Sequence, residues 1–311
     1  MYEGHRIAAV VPALNEALHI GDVLRRMPAY VDLVVVVDDH STDNTAAAAE
    51  SVGDARVQVI RHPERRGVGG ATVSGMQRAL EQGADIVVKV DGDGQMDPTQ
   101  MDALLTPLIR DGYDYAKGNR FLHPRALEQM PIQRLLGNFA LTFLTKLASG
   151  YWSIFDPQNG YVAAKATALR ALDLPRLAAG FFFENDMLIH LNILNFRVKD
   201  VPMPAHYGDE HSSLRVNRIL VTFPYYLARG FCTRIWEKYM LRDFSPIALF
   251  WLVGAPLMLF GGLFGLVTWV HSSWSGHAAT TGTVMLSVLP FLLGFELILQ
   301  AIILEIRESP R

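Results

Sequence analysis

Residues 247–270 form a run of 24 positions with no charged side chain. As an α-helix rising about 1.5 Å per residue, the run would reach roughly 36 Å, enough to cross a bilayer with some tilt. A second apolar stretch, 283–304, carries one acid, Glu296, among 14 Leu, Ile, Val and Phe residues. A central carboxylate costs about 3 kcal/mol on the insertion scale, against roughly −4 to −8 kcal/mol from that many large apolar side chains. Insertion wins, so two transmembrane helices are expected. Gln300 follows Glu296 by one helical turn, and the face they share is expected to point at protein rather than lipid.

The flanking charges set an orientation. Arg229, Arg234, Lys238 and Arg242 precede the first span, Arg307 and Arg311 follow the second, and the connecting loop 271–282 has no Lys or Arg. By the positive-inside rule both ends of the hairpin face the cytoplasm. The apolar run 7–14 is short and is followed by Asn15 and Glu16, so it reads as a strand and not as a secretory signal. Residues 215–242 hold six basic side chains against Glu237, interleaved with Tyr225, Tyr226, Phe231, Trp236 and Tyr239. That pattern predicts an amphipathic helix, lying on an anionic leaflet or packed on the rest of the chain.

Over the whole chain the charge is nearly balanced, 28 Lys+Arg against 31 Asp+Glu, which argues against a nucleic-acid binder. A hydrophobic fraction of 50% with 19% charged residues excludes intrinsic disorder. The single cysteine, Cys232, excludes a disulfide scaffold or a cysteine-based metal cluster.

Short β-branched runs at 7–11, 33–37, 57–60 and 85–90 lack polar alternation, as strands buried on both faces of a parallel sheet do. Helix-like segments at 19–27, 42–51, with Ser41 or Thr42 as N-cap, and 70–83 separate them. The order predicts an α/β domain with a mostly parallel sheet, ending near Pro202–Pro204. Ligands in such sheets sit beyond the carboxyl ends of the strands.

Those ends are acidic. Pro12, Leu14 and Glu16 follow the first strand, Asp38, Asp39 and Asp43 the second, and Asp91, Asp93, Gln95 and Asp97 the fourth. Clustered carboxylates repel one another unless a cation or hydrogen-bond donors compensate. Asp91 and Asp93 are spaced to hold a hard divalent ion, with Gln95 as a further oxygen donor. A calcium EF-hand loop fails, because Met96 stands where it needs Gly. The glycines at 67, 69 and 70 follow the third strand and lack dinucleotide-fingerprint spacing, so they are a weak nucleotide signal.

Together with residues 118–121 (GNRF), 156–160 (DPQNG) and 182–187 (FFENDM), these motifs resemble family 2 glycosyltransferases of the GT-A (nucleotide-diphospho-sugar transferase) fold. The resemblance is to the branch of dolichyl-phosphate mannose synthase and bacterial polyprenyl-phosphate hexosyltransferases, and covers roughly residues 6–215. It implies that Pro12, Leu14, Glu16 and Asp38 or Asp39 line a nucleotide-sugar donor. Asp91, Asp93 and Gln95 would hold Mg²⁺ or Mn²⁺ against its diphosphate. Arg120 and Arg134 would face the phosphate of a polyprenyl-phosphate acceptor, Glu184 and Asp186 would lie near the sugar, and Ser212 and Ser213 would belong to a loop near the acceptor. His206 stands where the branch carries a basic residue, which leaves a phosphate-binding role at that position open.

The expected organisation is a catalytic domain over 1–205, an acceptor loop and basic juxtamembrane segment over 206–245, two spans within 246–305 and a tail over 306–311. The expected activity is inverting, metal-dependent transfer of a hexose from a GDP- or UDP-sugar to a polyprenyl phosphate at the cytoplasmic membrane face, without nucleic acid and with a homo-oligomer left open. A phosphate acceptor is already ionised near neutral pH, so Asp186 orients sugar or metal first and acts as a base second. The rivals are transfer to a lipid hydroxyl, which would reverse that order, and a non-catalytic nucleotide-sugar-binding membrane subunit. A processive polysaccharide synthase is disfavoured, since no Gln-x-x-Arg-Trp sequence occurs.

Overall fold

The computed structural model describes the backbone of residues 1–120, 132–203 and 216–310, and the side chains of these residues except 132–138 and 216–221. Seven strands, β1 (Ile7–Ala13), β2 (Leu33–Asp38), β3 (Val57–Arg61), β4 (Ile86–Lys89), β5 (Tyr115–Asn119), β6 (Val162–Lys165) and β7 (Val198–Pro202), form one sheet in the order β3-β2-β1-β4-β6-β5-β7. The pairs β1–β2, β2–β3, β1–β4 and β5–β7 are parallel, whereas β6 runs antiparallel to both neighbours. The four β-branched runs are thus strands, as expected. Every residue of β1, β2 and β4 is buried, which is why those runs show no polar alternation.

Helices α1 (Ile20–Arg25), α2 (Thr45–Glu50), α3 (Gly67–Glu81), α4 (Met101–Ile109), α5 (Ile132–Ser149), α6 (Ala166–Ala171) and α7 (Phe183–Ile193) cover the sheet. Two apolar layers result. One packs Val10, Val35 and Val37 against Met76, Phe183 and Leu188; the other packs Val11, Val36 and Val88 against Ile20, Leu24, Met101 and Leu105.

Three local expectations need correction. Strand β1 runs through Pro12 to Ala13. The Pro12 carbonyl accepts from the Gly92 N–H (3.2 Å), so its missing N–H falls on the β4 side, where β4 has already ended at Lys89. Helix α2 starts at Thr45, because Asp43 accepts from the Thr45 N–H (3.0 Å) while Ser41 and Thr42 serve another loop. Helix α3 starts at Gly67, and its glycines have a packing reason. Gly67 has φ +83, and a Cβ on Gly67 or Gly69 would collide with the backbone carbonyls of Ala179 and Ala178.

The chain divides into two compact units, Met1–Phe231 and Cys232–Ser309. The first extends beyond the expected boundary at 205. Phe223 and Leu227 of helix α8 (Val216–Arg234) pack with Phe182, Ile189 and Ile193.

The second unit contains a π-helical run (Ile235–Arg242) and the helices α9 (Pro246–Ser275) and α10 (Thr281–Glu308), both long and apolar enough to cross a membrane. Ser245 and Thr280 cap their N-termini, and Gly276, in the left-handed conformation, ends α9. Small residues line the seam: a Cβ on Gly261 would strike the Ser287 carbonyl and the Phe291 N–H, and one on Gly294 the Gly254 carbonyl.

Two expectations about charge change here. Arg234 and Lys238 are buried, so they offer no charge to a leaflet. Arg234 meets the buried Glu305 at 3.1 Å, and Trp251 Nε1 donates to the same carboxylate (3.3 Å). A buried acid without such a counter-ion would be costly. Glu296 and Gln300 are exposed rather than packed on α9, and Gln300 Nε2 donates to Glu296 Oε1 (2.9 Å).

Candidate active site

Strands β1, β2 and β4 run parallel, so the loops that follow them gather at one edge of the sheet. The first two loops are bonded to each other. The Asn15 N–H donates to Ser41 Oγ (2.9 Å), and Asn15 Oδ1 accepts from the Thr42 N–H (2.8 Å). The Glu16 N–H donates to Thr45 Oγ1 (2.7 Å) and the Ala17 N–H to Asp43 Oδ2 (3.1 Å). Asn15 and His40 both take positive φ, +60 and +65, at the turns. Polar side chains of the second motif therefore hold the Pro12–Glu16 loop in place.

The two acids after β2 have separate tasks. Asp38 accepts from the Ser41 N–H (2.9 Å) and faces Arg61 at 3.6 Å. Asp39 is buried and accepts from the Arg66 and Gly67 N–H groups (2.8 and 2.7 Å), with His62 Nδ1 at 2.8 Å. Asp39 thus secures the turn into α3, and of the pair only Asp38 keeps its carboxylate within the loop beside Asn15.

A lysine that the motifs do not reveal stands beneath the acids after β4. Lys89, the last residue of β4, is buried, with Nζ 2.7 Å from Asp91, 3.3 Å from Glu184 and 3.4 Å from the Gly160 carbonyl. Burial alone would pull this ammonium down, but the charges of Asp91 and Glu184 outweigh it and hold it above the ordinary lysine value. Gly160 permits the approach, since a Cβ there would collide with the ammonium and stand 2.9 Å from Asp91 Oδ2. One legible signal existed: a lysine within an otherwise apolar, fully buried strand needs a partner.

Asp93 accepts from the Gln95 N–H (3.0 Å), closing the turn after Asp91, and the Gln95 side chain is exposed. No group of three His, Cys, Asp or Glu side chains able to enclose an ion occurs among the described residues. Two neighbouring carboxylates suit Mg²⁺ or Mn²⁺, which are commonly held by one or two acids with substrate phosphates and water completing the shell. The donor set therefore fits a cation shared with a diphosphate.

The acids of α7 diverge. Glu184 turns to Lys89; burial, with the Glu184 charge added to it, pushes the Tyr115 phenol up. Asp186 accepts from the Ala178 N–H (2.8 Å) and lies 3.4 Å from His190. Asp186 thereby fastens the segment that docks on Gly67 and Gly69. Arg120 is gripped by Asp156 through Nε (2.8 Å) and Nη2 (3.1 Å), and stays partly exposed. Beneath it, burial lowers the Lys117 ammonium to about 8, partly offset by Asp156, Glu184 and Asp200. Burial raises Asp200 to about 6, against hydrogen bonds from the Phe155 N–H and Asn119 Nδ2. Arg134 lies on α5 with its side chain outside the described residues, as are Ser212, Ser213 and His206.

The sheet order, with acids on the loops after β1, β2 and β4, defines a GT-A glycosyltransferase. Solved structures agree on the fold: glucosyl-3-phosphoglycerate synthase from Mycobacterium tuberculosis, with Mn²⁺, UDP-glucose and phosphoglyceric acid, superposes with a TM-score of 0.57 at 23% identity, covering 74% of this chain and 80% of that one. The model of glycosyl transferase family 2 matches residues 8–172, and the chain belongs to that family. Among its relatives, the UDP-N-acetylglucosamine–dolichyl-phosphate N-acetylglucosaminyltransferase of Methanococcus voltae is 31% identical over 232 residues, 70% of this chain and 92% of that protein. The undecaprenyl-phosphate mannosyltransferase of Micrococcus luteus is 30% identical over 203 residues, 64% of this chain and 82% of that protein.

Proposed function

We propose that this glycosyltransferase moves a hexose from a GDP- or UDP-sugar to a polyprenyl phosphate at the cytoplasmic membrane face, with inversion and with Mg²⁺ or Mn²⁺. The observation that carries the reading is the meeting of Asp91 and Glu184 on the buried Lys89 ammonium, with Asp93 two residues further along the same loop, at the edge of the sheet where the β1 and β2 loops interlock. Both relatives described above are named for polyprenyl-type phosphate acceptors, and the hairpin of α9 and α10 suits an acceptor held in a bilayer.

In this reading Pro12, Leu14, Glu16 and Asp38 border the nucleotide. Asp91 and Asp93 would hold the divalent ion, with Gln95 able to add an oxygen. The ion would supply Lewis-acid stabilisation of the charge that develops on the departing diphosphate. Arg120, its guanidinium oriented by Asp156, would gather the acceptor phosphate, a role that the family resemblance extends to Arg134, Ser212 and Ser213. A phosphate oxygen attacks the anomeric carbon as the bond from that carbon to the diphosphate breaks, and no proton need be removed first. That suits Asp186, whose carboxylate accepts from the Ala178 N–H while His190 Nδ1 donates to its backbone carbonyl (2.9 Å): with a phosphate acceptor it orients sugar or metal first and acts as a base second.

The test is transfer by detergent-purified protein supplied with polyprenyl phosphate, Mn²⁺ or Mg²⁺ and labelled UDP- and GDP-sugars. Lipid-extractable label from one donor, lost with EDTA, is the expected result. Nucleotide-sugar binding without lipid label overturns the acceptor assignment.

A further inference from the structure

Three segments of the catalytic unit meet at one ammonium. Lys89 comes from β4, Asp91 from the loop after it, Gly160 from the DPQNG motif and Glu184 from the first turn of α7. The ammonium is buried, so water does not share its charge, and each carboxylate that meets it depends on it.

We propose that Lys89 is a positioning residue for glycosyl transfer: its ammonium fixes the aim of the Asp91 carboxylate and ties it to Glu184, so that metal binding after β4 and the placement of α7 behave as one unit. The geometry supplies both halves. Lys89 Nζ lies against Asp91 Oδ1 at 2.7 Å, while a Cβ placed on Gly160 would lie 2.9 Å from Oδ2, so glycine at 160 leaves the second oxygen clear. The contact with Glu184, 3.3 Å away, connects a helix whose preceding segment is docked on Gly67 and Gly69. Sequence alone separates these residues by 95 positions, and the family motifs place only the two acids. The inference rests on the proposed role of Asp91 toward a donor-bound cation.

The experiment is a double-mutant cycle on the full-length chain in detergent, with Lys89→Met, Glu184→Gln and the pair. Mn²⁺ affinity in the presence of UDP or GDP is read by electron paramagnetic resonance, beside kcat and donor KM per folded molecule. Contacting residues are expected to couple. Glu184→Gln should change Mn²⁺ affinity by about threefold or more in the native background and by less than about 1.5-fold beside Lys89→Met. Lys89→Met should lower kcat on the order of 100-fold, as expected when a reacting group is misplaced, with donor KM moved far less. Additive effects on Mn²⁺ affinity, or a kcat per folded molecule that survives Lys89→Met, overturn the proposal. If Lys89→Met does not fold, the double variant should, because it removes a carboxylate left without its counter-ion. A double variant that also fails to fold assigns Lys89 to packing and overturns the proposal. Native protein that makes no lipid product while the Mn²⁺ cycle still couples would instead defeat the acceptor reading and leave this inference standing.

Discussion

Asp93 carries the sharpest single-residue test, because it stands in the half-exposed turn after β4, outside both apolar layers, so its loss should spare the fold. Asp93→Ala is expected to reduce transfer on the order of 1000-fold, the scale of losing transition-state charge stabilisation, with the thermal midpoint nearly unchanged. Asp200 offers a test by pH. Its ordinary value is 3.8 and the fold raises it to about 6, so the native state holds the extra proton between those values. Stability from this group is therefore present at low pH and is lost as pH rises from about 4 to 6. Asp200→Asn should flatten that part of the profile, seen as a thermal midpoint that no longer falls across the window. Which of these residues could be read from sequence follows from their setting. Asp91, Asp93 and Glu184 stand in recognisable motifs, whereas Lys89, Lys117 and Asp200 matter through burial, which a string of residues does not display.

At the scale of elements, the β-branched runs were legible because burial on both faces removes the polar alternation that otherwise marks a strand. Strands β5, β6 and β7 were not, since YAKGN and VAAK offer no long apolar run and gain their place through pairing across the sheet. The glycines opening α3, which lack dinucleotide-fingerprint spacing, serve the close approach of residues 178–180, a packing role that the sequence does not display. Gly69→Ala should therefore disturb α7 as well as α3. The expected loss is about 1–3 kcal/mol of stability from overpacking, measured by denaturant unfolding, together with weaker Mn²⁺–nucleotide binding. Asp186→Asn should weaken the same dock from its other side.

At the scale of the whole molecule, the hairpin was legible from hydropathy, yet its internal pairing was not. The basic residues before the first span look alike in sequence, but Arg234 is spent on Glu305 inside the second unit while Trp236, Leu241 and Phe244 stay exposed. Glu305→Ala should destabilise that unit by about 3–5 kcal/mol, because it removes the counter-ion of a buried guanidinium, whereas Arg234→Met with Glu305→Leu should be far milder. Steric-trap or detergent-denaturation measurements on the full chain would separate the two.

The sheet order places β1 and β2 inside the parallel half, flanked by β3 and β4, with no residue of either exposed. Their amide protons should be among the last in the chain to exchange with deuterated solvent, since releasing them requires opening the unit as a whole. The loops after Ala13 and Asp38 hang directly from those amides. Exchange should therefore drop steeply within two or three residues on passing from His40 back into β2, the mark of loops carried on a frame that does not move with them.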